Sequence, residues 1–200
     1  MGELFLWQDV YCANNRMGGS MKKKRLIKQI FNGLIAAGCT FLFSSCTGEK
    51  SPLKPVNNFD VEKYMGVWYE IARTPNPFEK DLSSVKAIYT LEKDGSVKVI
   101  NSGILPDGKR KTIAGKAVMD GKAGEGLLKV SFFRPFYGEY KIVKLSPQYK
   151  YSIVVSGRKY LWILSRTPRL ELQDEKEVFS FLEKHSFKWK ELIRGQNGKK

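Results

Sequence analysis

The chain has 200 residues and a formal net charge of +15, from 35 Lys and Arg against 20 Asp and Glu. This length allows one domain, or one domain with a targeting segment, and the basic surplus favours contact with anionic surfaces such as lipid headgroups, lipopolysaccharide or nucleic acid. Cys12, Cys39 and Cys46 all lie in the first quarter of the chain. Their position excludes a disulfide framework and a Cys-based zinc site from the remaining residues, so we expect neither a metal nor a cofactor.

The first 45 residues indicate a targeting segment. Residues 1–20 precede a second possible start at Met21 and are interpreted as an over-extended start or an unstructured segment. Residues 21–45 begin with a basic stretch and contain an uncharged apolar run at 34–43. This run is too short to span a bilayer but is typical of a signal peptide.

Cys46 is the predicted lipidation site at the end of that signal. The small residues Ser44 and Ser45 precede it, which resembles the signal of a bacterial lipoprotein, whose acylated cysteine becomes the first residue. Cys39 is an alternative site, and a secretory signal with a chance cysteine is a second alternative. Three acyl chains on one cysteine would anchor the protein stably to a membrane, with residues 46–57 as a polar tether.

Residues 66–73 predict the first strand of a β-barrel. Trp, Tyr and Ile favour a pleated surface, and Gly66 allows a sharp turn into the strand. Alternation places Trp68, Glu70 and Ala72 on one face of this strand. The inner face would therefore carry a large indole and, further along, a carboxylate.

Seven further β-segments follow at hairpin spacing, and Asp94-Gly95 and Asp107-Gly108 mark turns between them. The predicted segments are residues 85–91, 97–101, 112–119, 127–133, 140–145, 149–155 and 160–165. Eight strands suffice to close a barrel around one small ligand. The sequence therefore predicts an all-β fold, an eight-stranded antiparallel up-and-down barrel, over residues 58–194.

The segment after the strands predicts one C-terminal α-helix. Residues 170–185 place Leu172, Val178 and Leu182 on one stripe between charged residues. A single apolar stripe favours packing against the outside of the barrel. Residues 195–200 are predicted to form a disordered tail.

Three sequence blocks, residues 58–73, 128–138 and 160–168, carry a resemblance to a known family. Across about residues 57–187 the chain resembles the lipocalins, in particular the bacterial outer-membrane lipoprotein lipocalins and apolipoprotein D. The middle motif of the family is degenerate here, because only Tyr149 of Pro147-Gln148-Tyr149 matches it. The resemblance implies the same barrel fold that the strand pattern predicts.

The resemblance also implies a structural role for Gly66, Trp68 and Arg166 at the barrel floor. In the family, the matching arginine lies over the tryptophan ring and closes one end of the barrel. A guanidinium stacked on an indole and shielded from water gains about 2 kcal/mol. Loss of either side chain is therefore expected to destabilise the fold without removing a ligand contact.

Alternation along the strands predicts an interior with room for a ligand. The inward candidates are Glu70, Ala72, Ala87, Tyr89, Val97, Val99, Gly115, Ala117, Met119, Leu128, Val130, Phe132, Tyr140, Ile142, Trp162 and Leu164. Small residues would leave space and aromatic residues would form an apolar wall, which suits an acyl chain with a polar end. The predicted ligand contacts are Ala87, Tyr89, Phe132, Tyr137, Tyr140 and Trp162. The resemblance implies the roles of Tyr137 and Trp162, plain core packing is the alternative for each residue, and Glu70 would have a structural partner or contact a headgroup.

The resemblance implies a binding protein, with a fatty acid or a lysophospholipid as ligand. It would be lipid-anchored at the outer membrane, facing the periplasm, and would store or transport lipids for envelope maintenance. An enzyme acting on a lipid and a basic structural or adhesive lipoprotein that binds anionic polymers are the alternatives. The sole histidine, His185, lies on the predicted outer helix, which argues against catalysis. Nucleic acid is not an expected partner because the basic residues are scattered, and both a monomer and a homodimer are compatible.

Overall fold

The computed structural model describes residues 50–195. The predicted signal peptide, the possible acylation sites Cys39 and Cys46, and residues 196–200 of the predicted tail lie outside the described residues. Within residues 50–195, no helix is both long enough and apolar enough to cross a bilayer.

Eight strands form a closed ring. They are β1 (Gly66–Arg73), β2 (Ser83–Leu91), β3 (Val97–Ile104), β4 (Arg110–Met119), β5 (Leu127–Phe133), β6 (Phe136–Leu145), β7 (Tyr151–Ser156) and β8 (Tyr160–Ser165). Each strand pairs antiparallel with the next, and β1 pairs with both β2 and β8. The predicted eight-stranded antiparallel up-and-down barrel is confirmed.

Short turns join the strands. Gly95 and Gly108, at the two predicted Asp-Gly turns, adopt φ angles of 77° and 82°, which glycine reaches without a Cβ clash. β6 begins earlier than the predicted residue 140, because Phe133 pairs with Phe136 across a two-residue connection. The hairpin between β5 and β6 is therefore tighter than the sequence pattern indicated.

A β-bulge interrupts β1. Beyond it, the side chains that face the interior are those that simple alternation would place outside. The register of β1 against β8 shifts between Glu70 and Ala72. Beyond the shift, Ala72 packs with Ile153 and Ile163 outside the barrel, whereas the Arg73 side chain is 1% exposed and pairs with Glu70 inside. The expectation that Ala72 faces the interior is therefore wrong, because the extra residue of the bulge transfers the inward position to Arg73.

The connections lie alternately at the two ends of the barrel, as antiparallel strands joined in order require. One end, which we call the floor, holds helix α1 (Val61–Tyr64) and connections 92–96, 120–126, 146–150 and 166–171. The opposite end, which we call the mouth, holds connections 74–82, 105–109, 134–135 and 157–159. Asp60 caps α1 by accepting the Glu62 N–H at 3.0 Å, and the cap fixes the start of this single helical turn.

Helix α2 (Leu172–Lys184) packs against the outer face of the barrel. Its residues Val178 and Leu182 are fully buried against β7 and β8. The chain then forms a 3₁₀ turn, Trp189–Glu191, and a two-residue strand β9, Ile193–Arg194, which pairs with the mouth half of β1. The predicted C-terminal helix outside the barrel is confirmed, and β9 is an addition to the predicted strands.

Residues 51–56, part of the segment interpreted as a tether, lie against the barrel. The Val56 N–H donates to the Ile142 carbonyl at 2.8 Å, and the Gly126 N–H donates to the Val56 carbonyl at 2.9 Å. The buried Lys141 ammonium donates to the Ser51 carbonyl at 2.8 Å. These bonds use backbone groups, which a polar and proline-containing sequence does not reveal.

Candidate functional site

The floor is built around Trp68, which is fully buried. The Arg166 guanidinium carbon lies 4.0 Å from the centroid of the Trp68 ring. The same guanidinium donates to the carbonyls of Val67 at 3.0 Å and Lys63 at 2.7 Å. Arg166 therefore ties the residue after β8 to the start of β1 and to α1.

Gly66 is required at its position by both conformation and space. Its φ is +95°, and a Cβ built there would lie 3.3 Å from a terminal nitrogen of Arg166. Any other residue would be strained and would press on the guanidinium. The Trp68 indole N–H donates to the Tyr64 carbonyl at 2.8 Å, so α1 and β1 hold each other across this turn.

Three phenols, Tyr64, Tyr89 and Tyr140, meet inside the barrel next to the floor, and we call them the tyrosine layer. The Tyr140 hydroxyl lies 2.9 Å from the Tyr64 hydroxyl and 3.0 Å from the Tyr89 hydroxyl. Tyr64 also donates to the Ser152 hydroxyl at 3.1 Å. Since β2 and β6 stand opposite each other in the ring, Tyr89 and Tyr140 bridge the two walls.

The phenols of the tyrosine layer are neutral at physiological pH. Burial raises the pKa of Tyr64 to about 12, although the hydrogen bonds that it forms with Ser152 and Tyr140 act in the other direction. Burial also raises the pKa of Tyr89 and of Tyr140 well above the ordinary value of 10.0. Each hydroxyl can therefore donate as well as accept, which lets three phenols share one buried network.

A second buried network lies nearer the mouth and consists of Glu70, Arg73, Glu79 and Trp162; we call it the mouth cluster. Arg73 pairs with the Glu70 carboxylate, and its Nε lies 3.7 Å from the Glu79 carboxylate. A terminal nitrogen of Arg73 donates to the Leu82 carbonyl at 3.1 Å. The Trp162 indole N–H donates to Glu79 Oε2 at 2.9 Å. These contacts hold connection 74–82 over the barrel.

Two carboxylates face one guanidinium in the mouth cluster. Burial and the neighbouring charge of Glu79 raise the pKa of Glu70 to about 8, and Arg73 offsets only part of this shift. Burial and the second acid therefore favour the protonated form of Glu70, and the Arg73 guanidinium favours its ionised form. Within residues 50–195, no three His, Cys, Asp or Glu side chains are grouped so that they could hold a metal ion.

An apolar wall faces these polar groups across the interior. Ala87, Val99 and Ala117 are buried there, and Val130 and Phe132 pack against them. A Cβ built at Gly115 would lie 2.7 Å from the Phe132 ring. Because Gly115 has no side chain, the Phe132 ring can pack directly against the backbone there.

A family model described as a lipocalin-like domain matches residues 59–197. The chain belongs to the lipocalin family. It is 42% identical over 156 residues to the outer membrane lipoprotein Blc of Escherichia coli K12, across 76% of this chain and 88% of that protein. It is 34% identical over 154 residues to apolipoprotein D of Rattus norvegicus, across 68% and 79% of the two chains. The resemblance drawn from the three sequence blocks is confirmed.

Solved structures agree on the fold of this lipocalin. Insecticyanin from the tobacco hornworm Manduca sexta superposes with a TM-score of 0.63 at 22% identity, over 74% of this chain and 86% of that one. At this identity the likeness concerns the barrel alone.

The lipocalin barrel brings five of the six predicted ligand residues together and leaves one apart. Ala87, Tyr89, Phe132, Tyr140 and Trp162 belong to the interior cluster. Tyr137 is 41% exposed, because three positions separate it from the inward Tyr140 and alternation turns it outward. Tyr137 therefore does not line the interior as expected. Met119, also predicted to face inward, is 38% exposed at the floor end of β4.

Several interior residues, among them Tyr64, Arg73, Glu79 and Val154, were not among the predicted inward side chains. Tyr64 follows a capping Asp60 by one helical turn, and that Asx cap was the available signal. For Arg73, an arginine within a strand pattern gave no indication of a bulge. Its inward position depends on the register shift of β1.

Proposed function

We propose that this lipocalin is a membrane-anchored outer membrane protein that binds single-chain lipids, either fatty acids or lysophospholipids. It would store or transport them for envelope maintenance. The observation that carries the proposal is the apolar wall of Val99, Val130 and Phe132 beside a buried guanidinium below the mouth. Relatives named as outer membrane lipoproteins support the location.

The acyl chain would lie along the apolar wall with its end toward the tyrosine layer. Each buried CH₂ group contributes about 0.8 kcal/mol. Small side chains at Ala87 and Ala117 limit how much of this wall the protein itself fills. The tyrosine layer would set the depth, because its phenols already bridge opposite walls.

The polar end of the lipid would lie at the mouth cluster. Arg73 and the Trp162 indole N–H are donors that suit a carboxylate or a phosphate. Glu79 accepts a hydrogen bond from the Trp162 indole N–H. Ligand binding would replace this hydrogen bond with one from Trp162 to the ligand. Connection 74–82, which carries Glu79, would move with it.

The membrane anchor in this proposal is an acylated Cys46. Three acyl chains give stable attachment without a transmembrane helix. Mass spectrometry of the mature N-terminus of protein purified from membranes tests this step. An acylated Cys46 supports the anchor, and an intact Met1 contradicts it.

We infer binding rather than catalysis. His185 ends α2 on the outside of the barrel, where its ring lies 4.4 Å from that of Phe181. It is therefore remote from the apolar wall and the mouth cluster. Assaying purified protein for turnover of fatty acids and lysophospholipids tests the inference. Formation of more than one product molecule per protein molecule contradicts it.

Native mass spectrometry and lipid titration test the ligand. Protein purified from membranes is expected to carry a fatty acid or a lysophospholipid that solvent extraction releases. After delipidation, titration with either lipid is expected to change tryptophan fluorescence. Trp162→Phe should remove most of that change, whereas the matched Trp189→Phe, outside the barrel against Phe179, should keep it. Protein that carries no lipid and gives no fluorescence change contradicts the proposal.

A further inference from the structure

The hairpin between β5 and β6 exposes three large aromatic side chains at the mouth. Phe133 is 37% exposed, Phe136 is 56% exposed and Tyr137 is 41% exposed. The other large exposed apolar side chains of residues 50–195 lie singly on β1, β4 and α2. A concentration of exposed apolar surface at one tip marks an interaction site.

Exposed cations surround this tip. Three of the mouth connections carry one each, namely Lys80, Lys109 and Arg134. Arg110 and Lys111 extend the basic surface into the start of β4, where both are exposed. The mouth therefore combines exposed positive charge with exposed aromatic side chains.

Exposed cations outnumber exposed acids on the mouth connections. Asp81 and Asp107 are exposed there, and Asp107 already pairs with Lys109 at 3.1 Å. Glu79 turns inward to Trp162. At the floor, by contrast, exposed acids and exposed bases are equal in number and form pairs such as Lys150 with Glu171 at 2.9 Å. The charge surplus is specific to one end of the barrel.

We propose that the mouth docks onto the surface of an anionic phospholipid bilayer. Phe133, Phe136 and Tyr137 would enter the interfacial region, and the surrounding lysines and arginines would contact lipid phosphates. Aromatic rings favour the boundary between headgroups and acyl chains, and each nearby cation adds attraction to an anionic leaflet. This inference concerns the outer surface of the mouth, and it stands apart from the ligand inside the barrel.

The shape of the tip favours a bilayer over a nucleic acid. Proteins that bind single strands use a basic groove in which aromatic rings stack on successive bases. Here only Arg134 and Pro135 separate the two strands of the hairpin, so the exposed aromatic side chains are grouped at a tight hairpin tip and do not line a groove. An exposed aromatic tip flanked by cations matches a deformable lipid surface.

Vesicle co-sedimentation tests the docking surface. The protein is the full chain with Cys46→Ser, which removes the thiol that acylation requires, and the vesicles contain equal parts phosphatidylglycerol and phosphatidylcholine. Lys111→Glu combined with Arg134→Glu is expected to lower the vesicle partition coefficient about twenty-fold or more. Phe136→Ser is expected to lower it about ten-fold. Vesicles of phosphatidylcholine alone should bind the parent protein weakly.

Residues 1–49 are present in every variant and could bind vesicles themselves. Matched substitutions at the floor control for that contribution. Lys93→Glu combined with Lys122→Glu removes the same charge from exposed floor turns, and Leu172→Ser removes an apolar side chain that is 70% exposed on α2. Both controls should leave vesicle binding unchanged. Equal losses at both ends contradict the proposal. Mouth variants that keep vesicle binding but lose binding to a DNA duplex also overturn it.

Discussion

Each end of the barrel holds an arginine, and the two differ in burial and in partners: Arg73 at the mouth is buried, whereas Arg166 at the floor is partly exposed. At the floor, Arg166 lies on the Trp68 ring and donates to backbone carbonyls of Val67 and Lys63. At the mouth, Arg73 also donates to backbone carbonyls, those of Glu79 and Leu82. Unlike Arg166, it additionally pairs with two side-chain carboxyl groups, those of Glu70 and Glu79. Carbonyls and an indole do not titrate, whereas carboxylates do.

This difference separates a permanent closure from an adjustable one. The floor contacts involve backbone groups whose positions are fixed by β1 and α1. The mouth contacts include two titratable side chains in addition to backbone carbonyls, and one of these side chains, Glu79, lies on the nine-residue connection 74–82. A ligand can exchange with a side-chain acceptor such as Glu79 without unfolding a strand. We therefore expect stability to depend mainly on the floor, and the response to pH and ligand to depend on the mouth.

Trp68→Ala, at the floor, is expected to cause the largest loss of unfolding free energy. Removing a fully buried aromatic side chain costs about 3–5 kcal/mol of unfolding free energy, because it leaves a cavity and deprives Arg166 of its ring. Urea denaturation measures the loss. Trp189→Ala, which truncates a partly buried ring outside the barrel, is the matched control. A loss for Trp68→Ala no greater than that for Trp189→Ala would contradict the role assigned to the floor.

Arg166→Ala comes next, with an expected loss of about 2 kcal/mol. The substitution removes the stacked guanidinium and leaves the carbonyls of Val67 and Lys63 without their donor. Thermal unfolding compares it with Arg134→Ala, an exposed arginine at the mouth. The control should change stability by less than about 0.5 kcal/mol. Equal melting temperatures for the two variants would show that Arg166 does not hold the floor.

The pH dependence of stability gives a third test, with a slope of at most about 1.4 kcal/mol per pH unit. Between the ordinary pKa of 4.5 and the folded value of about 8, folded Glu70 retains a proton that the unfolded chain has released. The contribution is present below pH 4.5, and stability falls as pH rises to about 8. Glu70→Gln should flatten this part of the profile.

The contribution of Asp60, at the floor, to stability should change with pH in the opposite direction to that of Glu70. Backbone and side-chain hydrogen bonds from Lys63 hold the pKa of Asp60 below its ordinary value of 3.8. Its contribution is therefore present above pH 3.8 and is lost as the pH falls further. Asp60→Asn should alter the acidic side of the profile and leave the Glu70 region unchanged. If stability still falls between pH 4.5 and about 8 in Glu70→Gln, the group that titrates in this range is not Glu70.

The sequence predicted the barrel because its strands alternate regularly and its Asp-Gly turns separate them. The reversal after Glu70 could not be predicted, since Trp68, Glu70 and Ala72 continue a normal alternation. The outward position of Ala72 depends on packing against β7 and β8, which is contributed by residues far along the chain. The docking of residues 51–56 was missed for a related reason, because it uses backbone hydrogen bonds to Gly126 and Ile142.

The candidate site was predicted only where the alternation held. Tyr89, Tyr140 and Trp162 reach the interior as period-two facing requires. That facing did not indicate that two phenols would meet across the barrel, or that Trp162 would donate to Glu79. Both contacts depend on which side chains stand opposite each other once the ring has closed. The division of the interior into a tyrosine layer and a mouth cluster is therefore a property of the fold.

Quenching by a fatty acid brominated near its carboxyl end is the most direct test of a ligand that enters above a sealed floor. The account predicts that the lipid quenches Trp162 and leaves Trp68 unquenched, because Arg166 and Tyr64 enclose the Trp68 ring. Quenching should then disappear in Trp162→Phe and persist in Trp68→Phe. Quenching that persists in Trp162→Phe and disappears in Trp68→Phe would contradict the account.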